Sequence, residues 1–487
     1  MRSSPAPVRP SLCPPRRPRR ALGAVAAAIS LLLLALPRAC PAQVPVFEAP
    51  SGVDPAIRTD THSDEVPRIA AGVAGVWVLV WQVVGAGDLG LGRDVDVMVS
   101  RSADDGAQWT APKPLDEAFR SDRAEDRQPA LATDGKGTWI VVWTSTQDLA
   151  GGSRRDRDIH LSVSTDNALT WSPPRALHSN ASTDWGDDDS ADIATDGNGR
   201  WVVVWQSADS LGNTVGGDRD ILFVTSTDDG KSWSAPDVVD AAARNDEAFD
   251  TSPRVETGGK DVWLVTWSSG NVSDDLGGLQ RGVVVARSAA GAVTWSPPQR
   301  LSGASEDDRP DFGPRLATNR KGEWICAWAS ADDLDATIGK DRDILYVRSS
   351  DDGRTWTRRS ALNREAASDS GDDDTPELAV DDAGNWVAVW TSWDKRDAAR
   401  GADADLRTAL SRDSGRTWTK SYILNTNAEE DHGEDVTPSL ATDGSGLWIT
   451  AWASTESLDQ VLSRDRDILI ARGRFGREIA GPPEKAR

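Results

Sequence analysis

Two tryptophans separated by three residues recur seven times along this chain at a nearly constant spacing. The intervals between successive copies are 62, 62, 62, 61, 62 and 62 residues. A fixed period of this length is typical of one supersecondary unit repeated around an axis or along a solenoid. The second tryptophans of the pairs are Trp81, Trp143, Trp205, Trp267, Trp328, Trp390 and Trp452. A residue present in every copy is therefore interpreted as architecture, and a residue found in few copies is a candidate for function.

Each unit contains four short segments that predict β-strands. In the unit beginning at Pro129, a Pro-Ala-Leu-Ala stretch and a Gly-containing turn precede Trp139-Ile-Val-Val-Trp143, which is apolar on both faces. An alternating segment from Asp158 predicts the third strand, and the fourth follows the next tryptophan. Four short strands repeated radially predict an all-β, seven-bladed β-propeller over residues 43–475. The alternative, a β-solenoid, usually has shorter coils and fewer hairpin turns.

The two ends of the repeat region are predicted to complete one blade together. The last unit stops before its fourth strand, whereas the strand-like segment Val44-Pro-Val-Phe-Glu48 precedes the first unit. We expect this segment to supply the fourth strand of the last blade, because such pairing removes two exposed sheet edges. Residues 476–487 are predicted to form a polar C-terminal tail.

The first 42 residues predict a secretory signal peptide. A basic region containing Arg16 and Arg20 precedes the apolar stretch Ala21 to Leu36, and small residues around Cys40 offer a cleavage site. A lipoprotein anchor at Cys40 is the alternative. Secretion, or export to a periplasm, is the predicted localisation. No other stretch of the sequence is long and apolar enough to predict a membrane span.

The net charge argues against nucleic acid as a partner. The chain carries a formal charge of −23, and the predicted signal peptide holds seven arginines and no acidic residue, so the remainder carries about −30. Nucleic-acid binding depends on neutralising phosphates with Lys and Arg, and anionic membranes are disfavoured for the same reason. An acidic surface is compatible with cation binding or with solubility alone. The chain is predicted to be a monomer.

A Ser-x-Asp-x-Gly-x-x-Trp motif lies between the third and fourth predicted strands. It begins at Ser102, Ser226, Ser349 and Ser411, and a near copy begins at Ser164. The aspartate accepts backbone N–H groups in the turn and the glycine takes a positive φ, so the motif is a folding device. The motif resembles the Asp-box, and the chain resembles the BNR/Asp-box, sialidase-like propellers. Such sialidases usually have six blades, so the seventh copy departs from the family.

The position after the first-strand proline differs from blade to blade. Arginine occupies it in blades one, four and five, as Arg68, Arg254 and Arg315. The resemblance implies an arginine triad that grips a substrate carboxylate, a task suited to a bidentate guanidinium. Pro67-Arg68-Ile69 resembles the family's blade-one motif, although the usual Phe-Arg-Ile-Pro order is not kept. The alternative is that polar residues are tolerated here and three happen to be arginine.

The same resemblance implies a catalytic tyrosine and an acid. The candidate tyrosine is Tyr346, whose register with Leu161 and Phe223 makes a core position the alternative. Glu247 is a candidate partner for it, and Asp88 is the candidate general acid. Asp-Leu recurs in equivalent loops, so Asp88 is alternatively part of the repeat consensus.

One aspartate is common to all seven units, three residues before the first-strand proline or its replacement. If the blades are radial, these residues form a ring near the channel mouth, and carboxylate oxygens suit Ca²⁺. The alternative is that each caps backbone N–H groups or pairs with an arginine such as Arg157, Arg219 or Arg342. The seven residues are Asp64, Asp126, Asp188, Asp250, Asp311, Asp373 and Asp435.

The sequence thus favours a propeller that binds a glycan or protein ligand on its loops without catalysis. The competing hypothesis is an exo-sialidase-type glycoside hydrolase that uses the arginine triad. No cofactor is indicated by a motif, and calcium is the one ion that the acidic pattern suggests.

Overall fold

A computed structural model gives the fold. It describes residues 44–53, 62–149, 156–181, 185–244, 247–259, 261–271, 280–303, 310–394, 403–428, 433–456 and 462–475. The predicted signal peptide with Cys40 and the predicted polar tail lie outside these residues.

Seven antiparallel sheets, each built mainly from one sequence repeat, form the seven blades that the sequence predicts. The strands of the N-terminal segment and of blades one to three are β1 (Pro45–Phe47), β2 (Ser51–Gly52), β3 (Ser63–Ala71), β4 (Trp77–Val84), β5 (Val95–Ser102), β6 (Lys113–Pro114), β7 (Asp126–Thr133), β8 (Trp139–Ser145), β9 (Asp158–Ser164), β10 (Arg175–Ala176), β11 (Asp188–Thr195), β12 (Trp201–Ser207), β13 (Asp220–Ser226) and β14 (Asp237–Val238).

Blades four to seven follow the same order. Their strands are β15 (Ala248–Gly259), β16 (Val262–Asn271), β17 (Gln280–Ser288), β18 (Gln299–Arg300), β19 (Asp311–Thr318), β20 (Trp324–Ser330), β21 (Asp343–Ser349), β22 (Ser360–Ala361), β23 (Asp373–Val380), β24 (Trp386–Ser392), β25 (Asp405–Ser411), β26 (Tyr422–Ile423), β27 (Asp435–Thr442), β28 (Leu447–Glu456) and β29 (Leu462–Phe475).

The N-terminal segment closes the propeller as predicted. β1 pairs antiparallel with β29, with Pro45 opposite Phe475 and Phe47 opposite Gly473. β2 pairs with the same strand. Blade seven is therefore built from both ends of the chain.

The tryptophan pairs form the core between blades. Each pair begins a second strand that is buried on both faces, and Trp139 and Trp143 of β8 are both 0% exposed. Burying a large aromatic ring contributes about 1.5–3 kcal/mol of hydrophobic free energy. The repeated spacing therefore reflects packing that every blade needs.

The first strand of each blade is the innermost one. β3, β7, β11, β15, β19, β23 and β27 each contact the next in this order, and β27 contacts β3, so they surround a central channel. Each has a β-bulge just before its central proline or Ala191, at which one residue has a positive φ. These residues are Val66, Gln128, Ser190, Ser252, Gly313, Thr375 and Thr437. The bulge changes which side chains face the channel.

The propeller has two unlike faces. The loop face carries the connections that follow the second and fourth strands, which in blade one are residues 85–94 and 115–125. The hairpin face carries the shorter turns, which in blade one are residues 72–76 and 103–112. The helices of the described residues are three short 3-10 turns, Gly87–Leu89, Glu117–Arg120 and Ala241–Arg244. No helix in this part of the chain could cross a membrane.

The Ser-x-Asp-x-Gly turns lie on the hairpin face and have the local role predicted for them. Ser102 Oγ donates to Asp104 Oδ1 at 2.8 Å, and the same carboxylate oxygen accepts from the Gln108 backbone N–H at 2.9 Å. Gly106 has φ +74° and donates its N–H to Ser102 Oγ. The aspartates of these turns are therefore engaged in the turns themselves.

Candidate functional site

The three arginines do meet inside the channel. They belong to a set that we call the channel layer, the residues after each inner-strand proline or Ala191: Arg68, Ala130, Asp192, Arg254, Arg315, Glu377 and Ser439. Arg254 interacts electrostatically with Arg68, Arg315, Asp192 and Glu377. Three guanidinium groups and two carboxylates therefore share one site.

The Glu377 carboxylate already lies against two of these arginines, Arg315 and Arg68. Arg315 Nε donates to Glu377 Oε1 at 2.7 Å, and Arg68 Nη1 lies 3.9 Å from the same oxygen. Arg315 and Glu377 are 14% and 15% exposed in their side chains. Each arginine also donates through Nη1 to the carbonyl oxygen of the proline before it. The Glu377 carboxylate thus lies where a ligand carboxylate would be gripped.

Arg254 is the channel-layer arginine for which the described residues provide no ion pair within 4.0 Å, whereas Arg68 and Arg315 both approach Glu377. Burial and the nearby Arg315 and Arg68 lower its pKa to about 9, although Asp192 and Glu377 oppose the shift. Asp192 Oδ2 accepts the Val255 backbone N–H at 2.9 Å and so links blades three and four. The layer therefore works as an ionic network that joins several blades across the channel.

The structure places Tyr346 away from the channel layer, at the core position that its register offered as the alternative. Its hydroxyl donates to the Gly415 carbonyl oxygen at 2.9 Å, in a turn of the hairpin face, and its ring packs edge-on against Trp418. The other tyrosine of the chain, Tyr422, donates to the Pro45 carbonyl oxygen on an outer strand. Both hydroxyls are engaged elsewhere because each side chain fills a space between blades.

Asp88 and Glu247 lie on the loop face, apart from each other. Asp88 Oδ2 is 3.2 Å from His62 Nδ1, at the mouth of blade one. Glu247 is exposed and interacts electrostatically with Asp218. Within the described residues, neither carboxylate makes a hydrogen bond or ion pair with a channel arginine. The structure therefore does not assemble the predicted set of acid, tyrosine and arginines.

The seven common aspartates do not form one ring-shaped metal site. In the described part of the chain, no three of them offer oxygens within 4.8 Å of one another. They are buried at the starts of the inner strands, and in four blades the aspartate accepts a hydrogen bond from Nε1 of its own blade's second tryptophan. These pairs are Asp64 with Trp81, Asp126 with Trp143, Asp311 with Trp328 and Asp435 with Trp452, at 2.6–2.9 Å.

The expected arginine partners bind the neighbours of these aspartates. Arg157 Nη2 lies 2.7 Å from Asp187 and 3.1 Å from Asp189, which flank a common aspartate. Arg342 pairs in the same way with Asp372 and Asp374. In those four blades the common aspartate is thus a structural partner of the tryptophan core, and in blades three and six the acids that flank it carry the ion pairs.

Replacing Asp311 with asparagine is expected to make stability less dependent on pH. Burial raises the pKa of Asp311 to about 6, above its ordinary value. The contribution of Asp311 to the free energy of unfolding is therefore fully present below about pH 4 and is lost as pH rises through about 6. Asp311→Asn keeps an acceptor for Trp328 but cannot ionise. Urea unfolding from pH 4 to 8 should show the variant gaining about 1–3 kcal/mol relative to wild type. A curve parallel to wild type, as expected for the exposed control Glu117→Gln, would contradict this account.

A groove on the loop face of blade three contains the feature that the sequence reasoning missed. Trp185 is 79% exposed and lies at a cavity of about 730 Å³. Of the 22 tryptophans, only Trp185 and Trp393 fall outside the repeated positions. Trp393 is half-buried. A tryptophan outside the repeat was therefore the signal in the sequence that could have located this groove.

Polar side chains form the floor and rim of this groove. Asn180 Nδ2 donates to Asp209 Oδ2 at 2.7 Å, and Asp209 Oδ1 accepts the Leu211 backbone N–H, so the buried Asp209 fixes the loop after β12. Burial raises the pKa of Asp209. Across the groove, Arg244 Nη2 donates to Asp237 Oδ1 at 2.9 Å. The groove contains the carboxylates of Asp209 and Asp237 and the guanidinium of Arg244, so it carries no excess of positive charge.

Comparison with known proteins shows the fold. No family model and no curated protein matches the chain. The structure is similar to that of an ulvan lyase of a polysaccharide lyase family, with a TM-score of 0.51 and 14% identity over 84% of this chain and 93% of the lyase. A Hadza microbial sialidase matches with a TM-score of 0.47 and 15% identity, over 87% of this chain and 68% of the sialidase. A Penicillium chrysogenum alpha-L-arabinanase matches with a TM-score of 0.46 and 11% identity, over 88% of this chain and 98% of the arabinanase. The structural neighbours thus include propeller enzymes that act on glycans.

Proposed function

We propose that this protein binds a glycan in the blade-three groove of its loop face and does not hydrolyse it. The observation that carries the proposal is the exposed indole of Trp185 beside a polar cavity. An exposed tryptophan costs free energy in water, and exposed apolar groups rimmed by polar ones mark binding sites. The C–H face of a pyranose carries partial positive charge and packs favourably on the negative face of an aromatic ring.

The groove favours a neutral sugar over an acidic one. Asp209 and Asp237 outnumber Arg244, and Arg244 is already paired with Asp237. Carboxylate and amide oxygens accept hydrogen bonds from sugar hydroxyls, whereas they repel a sugar carboxylate. A cavity of about 730 Å³ is within the range of small-ligand pockets and would hold a short oligosaccharide.

A panel of immobilised neutral and sialylated glycans tests this proposal. Wild type is expected to be retained on one or more neutral glycans, and Trp185→Ala is expected to lose at least about tenfold in affinity, since covering a large aromatic ring contributes about 1.5–3 kcal/mol. Leu149→Ala, which removes another exposed apolar side chain, is the matched control and should bind like wild type. Equal retention of wild type and Trp185→Ala on every glycan would refute the assignment.

The second candidate function is an exo-sialidase, because three arginines converge in the channel layer. Against it, Glu377 already occupies Arg315, and both tyrosines of the chain lie elsewhere. We expect no release of chromophore from a chromogenic sialoside above the buffer rate. Hydrolysis by wild type that disappears in Arg315→Ala would reverse the order of the two candidates.

A further inference from the structure

The loop face carries a second repeated acidic pattern that glycan binding does not use. An Asp-x-Asp pair begins the third strand in six blades, and blade four has Gln280 and Gly282 instead. The pairs are Asp94 and Asp96, Asp156 and Asp158, Asp218 and Asp220, Asp341 and Asp343, Asp403 and Asp405, and Asp465 and Asp467. In blades one and five the pair lies beside the connection that leads to the next blade.

In blade one the pair forms a compact cluster with that connection. Asp94 and Asp96 at the start of β5, together with Asp122 before β7, each offer an oxygen, and the three oxygens lie within 4.8 Å of one another. We call these three residues the blade-one cluster. Asp341, Asp343 and Asp369 hold the equivalent positions in blade five and are equally close.

The blade-one cluster contains buried oxygens that the protein does not satisfy. Asp96 is 0% exposed, and neither of its carboxylate oxygens has a hydrogen-bond partner. One oxygen of Asp94 and Oδ2 of the neighbouring buried Asp126 are in the same state, and the Asp122 carboxylate has only the backbone N–H of Ala124 near it as a donor. Among the described residues, no lysine or arginine nitrogen lies within 4.0 Å of the cluster. Buried carboxylates in this state cost several kcal/mol when ionised, unless a cation or donors compensate them.

In two other blades a donor side chain compensates the equivalent buried carboxylates. In blade two, His178 Nε2 lies 2.9 Å from Asp188 and 3.8 Å from Asp158, so the imidazole stands between the two carboxylates. In blade five, Asn363 Nδ2 donates to Asp343 and to Asp373, both at 2.8 Å.

In blade one the residue equivalent to His178 and Asn363 is Asp116, which accepts the Ala118 backbone N–H within its own turn. Blade one therefore has the acidic cluster without the side chain that supplies the donor. Its third strand also has Val95 where blade two has Arg157.

The geometry points to a calcium ion bound by Asp94, Asp96 and Asp122 on the loop face of blade one. Ca²⁺ takes oxygen ligands at about 2.3–2.6 Å, so oxygens on opposite sides of one ion are up to about 5 Å apart, in agreement with the cluster. Asp94 and Asp122 are half-buried, and a cavity of about 540 Å³ adjoins Asp122. This leaves room for water ligands and a path for the ion.

Calcium is favoured over other common ions by the ligands. All three are hard carboxylates with no histidine or cysteine among them, which disfavours zinc. Mg²⁺ needs a near-ideal octahedron at about 2.0–2.1 Å, whereas Ca²⁺ accepts irregular coordination.

Thermal unfolding of the full protein after removal of metal by a chelator tests the site. About 5 mM Ca²⁺ is expected to raise the Tm by about 2–3 °C, given the weak affinities usual for extracellular calcium sites and a chain of this size. The same concentration of Mg²⁺ is expected to give less than half of that shift. Asp96→Asn should abolish the calcium shift, and isothermal titration should show the loss of one site.

Asp343→Asn is the matched control, because it makes the same change in blade five, where Asn363 supplies the donor. It should keep the calcium shift of wild type. If Asp96→Asn does not fold, Asp122→Asn removes a ligand from the half-buried connection and should abolish the same shift. Three results would overturn the assignment. They are the absence of a calcium-induced Tm shift in wild type, a calcium shift in Asp96→Asn and Asp122→Asn equal to that of wild type, and a Mg²⁺ shift as large as the Ca²⁺ shift.

Discussion

Replacing Glu377 with alanine is expected to lower the free energy of unfolding by about 3 kcal/mol. Glu377 accepts from Arg315 Nε at 2.7 Å and lies 3.9 Å from Arg68 Nη1, inside the channel. Removing one partner of a largely buried ion pair leaves an uncompensated charge, which costs far more than the pair itself contributes. Here the loss leaves Asp192 as the only carboxylate of the channel layer for three guanidinium groups.

An exposed pair of similar geometry provides the control. Glu117 lies 2.7 Å from Arg120, but their side chains are 75% and 43% exposed. Glu117→Ala should therefore cost no more than about 0.5 kcal/mol. Urea unfolding of the two variants compares them directly. If Glu377→Ala were as stable as Glu117→Ala, the channel arginines would not serve stability, and a ligand for them would become the better explanation.

The second large effect is expected at the tryptophan repeat. Trp328 is 0% exposed, and its Nε1 donates to Asp311 Oδ1 at 2.9 Å. Trp328→Ala should destabilise the protein by about 3–5 kcal/mol, because it leaves a cavity between blades and removes the partner of a buried carboxylate. Trp185→Ala makes the same change at an exposed site and should stay within about 0.5 kcal/mol of wild type. Equal unfolding midpoints for the two variants would show that the repeat is not the source of stability.

The fold could be predicted because every copy of the repeat meets the same physical demands. A second strand buried on both faces requires Trp-x-x-x-Trp, and a tight turn requires the Asp and Gly of the hairpin motif. These demands act locally and recur seven times, so they are visible in one sequence. The pairing of β1 with β29 followed from the missing fourth strand of the last unit.

The candidate site was harder to predict because it depends on contacts between blades. The convergence of Arg68, Arg254 and Arg315 followed from their common register. The ion pair between Arg315 and Glu377 could not be predicted, because it depends on how far each side chain extends into the channel. Tyr346 shares its register with core residues, and in the structure it is buried with its hydroxyl bonded to the Gly415 carbonyl oxygen, so it has a packing role. Trp185 was overlooked because the abundant tryptophans of this chain were interpreted together as architecture.

The partners of the aspartates were equally hard to predict. The sequence predicts the position of each aspartate along its strand, but which group it contacts depends on distances of a few ångströms. In four blades the common aspartate accepts a hydrogen bond from a tryptophan Nε1 17 residues later, and in blades three and six the flanking acids pair with arginines. The unsatisfied cluster of blade one could be recognised only by comparing it with the donors present in blades two and five.

Isothermal titration with a neutral glycan selected from the panel tests the central claim most directly. The proteins are wild type, Trp185→Ala and Arg254→Ala, the last of which alters the channel layer and leaves the loop-face groove intact. We predict that Trp185→Ala weakens binding at least about tenfold, whereas Arg254→Ala stays within about twofold of wild type. Loss of binding in Arg254→Ala with full binding by Trp185→Ala would contradict the account and place the ligand in the channel.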